Sequence, residues 1–296
     1  MIEQSCSAEQ LAALKAILKD QSKLLTLSLY VTTQGTLMYE EEHLSCAIGA
    51  AKLRTSQNIA MCAGQSIQTV LKCSEWRGIP VRDLYPIARS AVESFINAAF
   101  LLAESDHVAE RASRYVSYAR WKHTNRSVGS GDFSLQLSAQ DSDSNTVSPE
   151  LPEFEGRGNG VWTKLDVPSR IRVVGQLAGS KAGSRLLAAY ALIYSTSSEI
   201  IHGSPYGVDY FYQAYLPDEA TVDDFSDATG KQLVDILCAV SHAIAGYLSA
   251  FFATQKMHKP YAAEQELFNR LLATDGVEPQ SIVPIPSTSV KNGPKI

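Results

Sequence analysis

Two sets of polar residues at helical spacing carry the chemistry that this sequence offers. Arg89, Glu93 and Asn97 recur at every fourth position in one segment, and Ser198 and His202 have the same spacing in a later one. Side chains four residues apart lie on one face of a helix, so each set would form a polar ridge. An imidazole can move a proton near neutral pH, and a guanidinium can stabilise the charge of a phosphate. Residues of these types suit either a site that uses this chemistry or a polar network that holds two helices in register.

The later ridge belongs to a segment that is otherwise apolar. Tyr190 and Tyr194 extend it by two turns, and Gly203 and Pro205 end the helix. A helix with apolar residues around most of its circumference is expected to be buried. Buried polar groups need hydrogen-bond partners, so we predict that His202 is buried and that this ridge faces the earlier one. We name the two sets the Arg89 ridge and the His202 ridge; their members are Arg89, Glu93 and Asn97, and Tyr190, Tyr194, Ser198 and His202, respectively.

The composition restricts the class of protein. Of the 296 residues 45% are hydrophobic and 19% are charged, which is ordinary for a soluble globular chain. A net charge of -5 argues against a large basic surface for duplex DNA. The five cysteines form no CxxC pair, and no signal peptide is evident, so we expect reduced thiols and a cytoplasmic location. The apolar segment 233–253 contains Asp235 and His242, which favours a buried core helix over a membrane span.

The periodicity predicts an all-α protein, a multi-helix bundle with a long polar loop insertion. One helical domain is expected over residues 1–275, interrupted by a mobile polar loop at 129–160. Residues 276–296 are rich in proline and predict a disordered tail. A single long helix is predicted over 40–73, with a weak polar middle at 54–58.

The order of these motifs resembles a known family. R-x3-E-x3-N occurs here as Arg89, Glu93 and Asn97, and S-x3-H-G occurs as Ser198, His202 and Gly203, with Trp162 between the two. This resembles a widespread bacterial family of helical proteins catalogued as a domain of unknown function, over roughly residues 79–210. That family is similar in turn to the HEPN group, helical bundles that often act as metal-independent RNases in toxin and phage-defence systems.

The resemblance implies an RNase that pairs as a homodimer, with two histidines meeting across a twofold axis. His202 would be the general acid or base, Arg89 would stabilise charge on the phosphate of an RNA, and Glu93 would orient Arg89. HEPN nucleases also carry an arginine four to seven residues before the histidine, where this chain has Ser195, Thr196, Ser197 and Ser198. Arg89, from a facing helix, is the candidate replacement.

A second interpretation gives the same residues no catalytic role. They could form a structural network that holds two helices in register, or the polar pocket of a ligand-sensing or protein-interaction module. In that case Asn97, Ser198, Tyr190 and Tyr194 would line a binding site.

Two further patterns predict less. Three Glu-x-x-His pairs have the spacing of di-iron ligands, but two lie at predicted helix ends, and we expect neither metal nor cofactor. The basic and aromatic segment 111–126 suits single-stranded nucleic acid, although an amphipathic helix with a solvated face is the plainer interpretation.

Overall fold

The computed structural model describes residues 8–75, 81–138, 151–156, 158–213 and 221–278. It is 76% helical, which confirms the predicted all-α bundle. The helices are α1 (Ala8–Gln34), α2 (Ala50–Lys52), α3 (Asn58–Cys73), α4 (Val81–Ala103), α5 (Asp106–Thr124), α6 (Val167–Leu177), α7 (Ser180–Ile201), α8 (Pro205–Gln213), α9 (Val222–Thr254) and α10 (His258–Thr274).

Helix α9 is the centre of the bundle, and α1, α4, α7 and α10 pack around it. The segment Asp227–Thr254 is long and apolar enough to cross a membrane, but 94% of its most apolar window is buried inside the protein. Residues 233–253 therefore form a core helix, as predicted. At Gly246 a β-carbon would lie 2.6 Å from Cγ of Leu186, so this glycine permits the close contact between α9 and α7.

The predicted helix over 40–73 is wrong in its first ten residues. Strands β1 (Thr36–Tyr39) and β2 (Glu42–Ser45) form an antiparallel hairpin there. The Glu42 carboxylate accepts hydrogen bonds from the backbone amides of His258 and Lys259 at 2.9 and 2.6 Å. This contact with the start of α10 favours the hairpin over the local helix propensity, because the amides at a helix N-terminus otherwise lack partners.

The polar middle at 54–58 coincides with a change of helix type. A π-helical turn, Leu53–Gln57, joins α2 to α3. Thr55 and Ser56 are buried in this turn, and Ser56 Oγ donates to the Ala98 carbonyl of α4 at 2.7 Å. π-Helical turns are rare in proteins, and those that do occur are often found at functional sites.

The segment 129–160 is not a loop throughout, so that part of the prediction is wrong. Strands β3 (Arg126–Ser130) and β4 (Phe133–Leu137) form a second hairpin, and a 3-10 turn spans Pro152–Phe154. Phe154 is fully buried against Tyr115 and Tyr118 of α5. Residues 139–150, and 279–296 of the predicted tail, lie outside the described residues.

Helices α6 and α7 approach unusually closely. A β-carbon at Gly183 of α7 would lie 2.7 Å from Cα of Gly175 in α6. Two glycines face each other here, so the backbones can touch where side chains would separate them. This contact fixes how closely α6 lies against α7.

Candidate functional site

The Arg89 ridge lies on α4, and all three of its residues are half-buried. Arg89 Nε donates to Glu93 Oε1 at 2.9 Å, one helical turn away. The Arg89 guanidinium carbon also lies 4.2 Å from the ring centroid of Tyr194 on α7. The prediction that the two ridges face each other is therefore confirmed at Arg89 and Tyr194.

The two tyrosines of α7 form the opposite wall of this site. Their ring centroids are 4.4 Å apart, with planes inclined by 31°. Burial raises the pKa of Tyr190 above its usual value, and the neighbouring Tyr194 and the Glu93 carboxylate add to the effect. The hydroxyl of Tyr190 is thus a neutral donor and acceptor at physiological pH.

Asn97, at the far end of the Arg89 ridge, binds a residue that the sequence did not single out. Arg170 of α6 donates from Nη1 to Asn97 Oδ1. The Arg170 guanidinium carbon lies 5.5 Å from the ring centroid of Trp162. Burial lowers the pKa of Arg170, while the Glu93 and Asp166 carboxylates oppose that change from a distance.

The Arg170 guanidinium donates hydrogen bonds to neutral groups and forms no ion pair with a described carboxylate. Its Nε donates to the Asp166 carbonyl at 3.4 Å, and no carboxylate of the described residues lies within ion-pair distance of it. The Asp166 carboxylate instead caps α6, where Oδ1 accepts from the amide of Ser169 at 2.9 Å. Nothing in the local sequence marks Arg170 as special, because its role depends on how α6 packs against α4.

His202 does not lie in this cluster. It is the C-terminal cap residue of α7 and is exposed, so the prediction that it is buried is wrong. Eight residues separate it from Tyr194, about 12 Å along the helix axis at ~1.5 Å per residue. The structure therefore does not bring Arg89 beside His202.

The exposure of His202 has a physical cause. The chain turns at Gly203, which has a φ of 61°, and enters α8. Gly207 of α8 packs directly on the backbone of Glu199, where a β-carbon would lie 2.6 Å from the carbonyl oxygen. Helix α8 thus covers the side of α7 at Glu199, and Ser204 closes the turn with a hydrogen bond to the Glu199 carboxylate. Ser198 is half-buried at this end of α7.

Two of the basic residues of α5 are engaged in bonds within the protein, and Tyr115 and Tyr118 pack on the buried Phe154. Arg114 pairs with Glu153 at 2.7 Å, and Arg111 donates to the carbonyls of Trp162 and Val161 at 3.3 and 3.1 Å. These bonds hold the segment after residue 151 against α5. They leave fewer free cations for a nucleic acid than the sequence pattern alone indicates.

Comparisons with family models, with curated proteins and with solved structures found no match to this chain. The resemblance to the HEPN group therefore stays a prediction. Within the described part of the chain, no three His, Cys, Asp or Glu side chains come together as metal ligands would.

The arrangement suits binding better than proton transfer. Two half-buried guanidinium groups, Arg89 and Arg170, lie beside aromatic rings, and of the two only Arg89 forms a direct ion pair, with Glu93; the carboxylates of Glu93 and Asp166 act on Arg170 without pairing with it. The imidazole that could act as a general acid or base is about 12 Å further along α7. An anion beside Arg170 would form the direct ion pair that no described carboxylate forms with it.

Proposed function

We propose that this protein is a ligand-sensing helical module whose binding site, at the junction of α4, α6 and α7, takes a small anion. Arg170 carries the proposal. Its guanidinium is half-buried, its side-chain partner is the neutral amide of Asn97, and no described carboxylate forms an ion pair with it. A partly desolvated cation without a direct counter-ion is costly, and a bound anion would offset that cost through charge-assisted hydrogen bonds.

The rest of the site supports this function by fixing the geometry. Arg89 is held between the Glu93 carboxylate and the Tyr194 ring, so little side-chain entropy remains to be lost on binding. Arg170 is held between Asn97 and Trp162 in a similar way. Both cations are therefore preorganised.

The test is calorimetric titration of the protein with inorganic phosphate, with Arg170→Gln as the variant. Arg172→Gln is the matched control, because Arg172 is two residues away on the same helix and is exposed. We expect Arg170→Gln to weaken phosphate binding by about tenfold or more, and Arg172→Gln to leave it unchanged. If the wild type binds no phosphate, or if Arg170→Gln only lowers the melting temperature, the cluster is a structural network and the proposal fails.

A second candidate function, a HEPN-like RNase of the cytoplasm acting as a homodimer, is favoured by one observation. His202 is exposed at the end of α7 beside exposed apolar side chains, Ile201, Tyr206 and Val208. An active site shared by two copies needs an accessible histidine, and an exposed apolar surface around it is typical of an interface between proteins. In this candidate the charge-stabilising arginine would come from the second copy, since Arg89 of the same chain is too distant.

The RNase candidate has its own test. Purified protein is incubated with single-stranded RNA in the presence of EDTA, beside His202→Ala and the control His258→Ala, which replaces another exposed histidine. Cleavage that is lost only with His202→Ala would support the RNase. Absence of cleavage, or cleavage that persists in His202→Ala, would contradict it.

A further inference from the structure

A cavity of about 230 Å³ adjoins the proposed anion site and shares Asn97 with it. At roughly 30 Å³ per water molecule it has room for about seven waters, so it is far larger than a packing defect. Helices α3, α4 and α5, the π-helical turn and the segment before α6 all contribute to its wall. We call it the Trp162 cavity; its most informative wall residues are Arg54, Asn97, Tyr115 and Trp162.

The charge of this wall is one-sided. Arg54 lines the cavity, and none of the lining residues is acidic. Arg54 is exposed, and among the described residues the structure shows no ion pair or hydrogen bond for its guanidinium. Its position follows from the π-helical turn Leu53–Gln57, which carries it on to the cavity wall. A charged group of a ligand at this wall should therefore be negative.

Asn97 contributes a second polar group to the wall, and its amide nitrogen is a hydrogen-bond donor. Asn97 Oδ1 is already used, because it accepts the hydrogen bond from Arg170. The amide nitrogen of Asn97 therefore stays on the other side of the carboxamide, and the described residues show no acceptor for it. Because Asn97 lines the cavity, this amide group is available to donate to a ligand there.

Two aromatic side chains form the remaining recognition surface. Trp162 is held by Phe100, whose ring centroid is 6.0 Å away in an edge-on arrangement, and by Arg170 at 5.5 Å. Tyr115 is held by the buried Phe154 at 5.5 Å. Rings that are fixed by their own neighbours lose little freedom when a flat ligand stacks on them.

We infer that the Trp162 cavity binds the ring of a small aromatic phosphate or a chemically similar aromatic anion, with the ring against Trp162 and Tyr115 and the negative group at Arg54. This deepens the proposed function and rests on it only for the placement of Asn97 by Arg170. The cavity supplies the specificity for a ring, whereas the Arg170 site supplies affinity for an anion alone.

The test compares three probes by calorimetric titration of the whole chain: phenyl phosphate, inorganic phosphate and adenosine monophosphate. We expect phenyl phosphate to bind about tenfold or more tightly than inorganic phosphate, because stacking adds to the charge contact. Equal affinity for phenyl phosphate and inorganic phosphate would overturn the inference. Tight binding of adenosine monophosphate would support it with a nucleotide as the natural ligand, and phenyl phosphate binding alone would support it with a single-ring ligand.

Variants locate the site. Arg54→Gln and Trp162→Leu should each weaken phenyl phosphate binding by about tenfold, while Arg120→Gln, at an exposed arginine of α5, should not change it. The melting temperature of each variant shows whether it is folded. If both Arg54→Gln and Trp162→Leu stay folded and bind phenyl phosphate as the wild type does, the inference is wrong.

The same variants separate this inference from the proposed function. If the binding of inorganic phosphate depends on Arg170 but not on Arg54, and phenyl phosphate binds no more tightly than inorganic phosphate, the anion site is supported and the aromatic site is overturned. Phenyl phosphate binding that depends on Arg54 and Trp162, together with inorganic phosphate binding that is absent or indifferent to Arg170, would support the aromatic site and overturn the anion site.

Discussion

Tyr194 and Arg89 form the contact that joins the two polar ridges, and its chemistry can be varied one group at a time. The guanidinium carbon lies 4.2 Å from the ring centroid, which is the geometry of a cation–π pair. We expect Tyr194→Phe to change the free energy of unfolding little, because the ring stays, and Tyr194→Leu to lower it by about 1 kcal/mol or more. Urea unfolding measures both. Equal losses for the two variants would show that the hydroxyl, and not the ring, holds Arg89.

His242 is the single buried histidine among the six of this chain, all of which lie in the described residues. Burial lowers its pKa below the usual 6.5, and its Nδ1 lies 2.9 Å from the Cys238 carbonyl. Its ring meets Phe268 edge-on at 5.3 Å, while Asp275 and Arg185 are the charged groups that act on it.

This lowered pKa gives stability a defined pH dependence. As the pH falls from 7.5 to 5.5, through about 6.5, His242 takes up a proton more readily in the unfolded chain than in the folded protein. Its contribution to the free energy of unfolding is therefore complete above about pH 6.5 and is lost as the pH falls. Wild type should therefore lose more free energy of unfolding over that range than His242→Asn, by at most about 1.4 kcal/mol per pH unit for one proton. His258→Asn, at an exposed histidine, should behave as wild type. Identical slopes for wild type and His242→Asn would refute the assignment.

Helices α7 and α10 are joined by a buried ion pair. Arg185 Nη1 lies 2.6 and 2.5 Å from the two carboxylate oxygens of Glu264, and the two side chains are 3% and 0% exposed. Phe268 packs on the guanidinium, whose carbon is 3.9 Å from the ring centroid. Burial raises the pKa of Glu264, and the positive charge of Arg185 acts in the opposite direction.

Removal of one partner should be far worse than removal of both. Arg185→Leu leaves a buried carboxylate unpaired, so we expect a loss of about 3–5 kcal/mol in the free energy of unfolding. The double variant Arg185→Leu/Glu264→Leu should recover most of that loss, because no charge remains to be desolvated. Glu266→Leu, at an exposed neighbour on α10, is the control. A double variant as unstable as Arg185→Leu would mean that packing, and not charge, accounts for the loss.

The glycine contact between α6 and α7 places Arg170, so it links packing to the proposed binding. Gly183→Ala puts a methyl group 2.7 Å from Cα of Gly175, and α6 must move away to accept it. We expect Gly183→Ala to lower the melting temperature and to weaken phosphate binding, with Ser184→Ala at an exposed neighbour doing neither. Unchanged phosphate affinity in folded Gly183→Ala would show that the position of α6 does not matter for the site.

The assembly of whole molecules separates the two candidate functions. An RNase with two histidines across a twofold axis requires a dimer through the end of α7, where Ile201 is 48% exposed. That candidate predicts that Ile201→Glu gives a monomer in light scattering and removes RNA cleavage. Leu177→Glu, at a 55% exposed leucine at the end of α6, should leave the dimer intact. A wild-type monomer that binds anions would instead agree with the ligand-sensing module.

The facing of the two ridges was inferred from the need of buried polar groups for partners. Helical periodicity was sufficient to predict the bundle, the core helix α9 and the residues that share each ridge. These features depend on local spacing, since residues four apart share a face and an apolar face must be buried. The hairpin β1–β2 was not predictable in this way, because Glu42 stabilises it through the start of a helix more than two hundred residues later.

The composition of the site was likewise decided by the tertiary structure. His202 matches a motif and lies on a helix that is buried further back, yet the turn at Gly203 leaves it exposed. Arg170 matches no motif, yet the contact of Gly175 with Gly183 brings its helix to Asn97. The sequence by itself determined which residues share a helix face, because that depends on 3.6 residues per turn alone. Which faces meet, and which cation is left without a carboxylate, only the packing of distant helices decided.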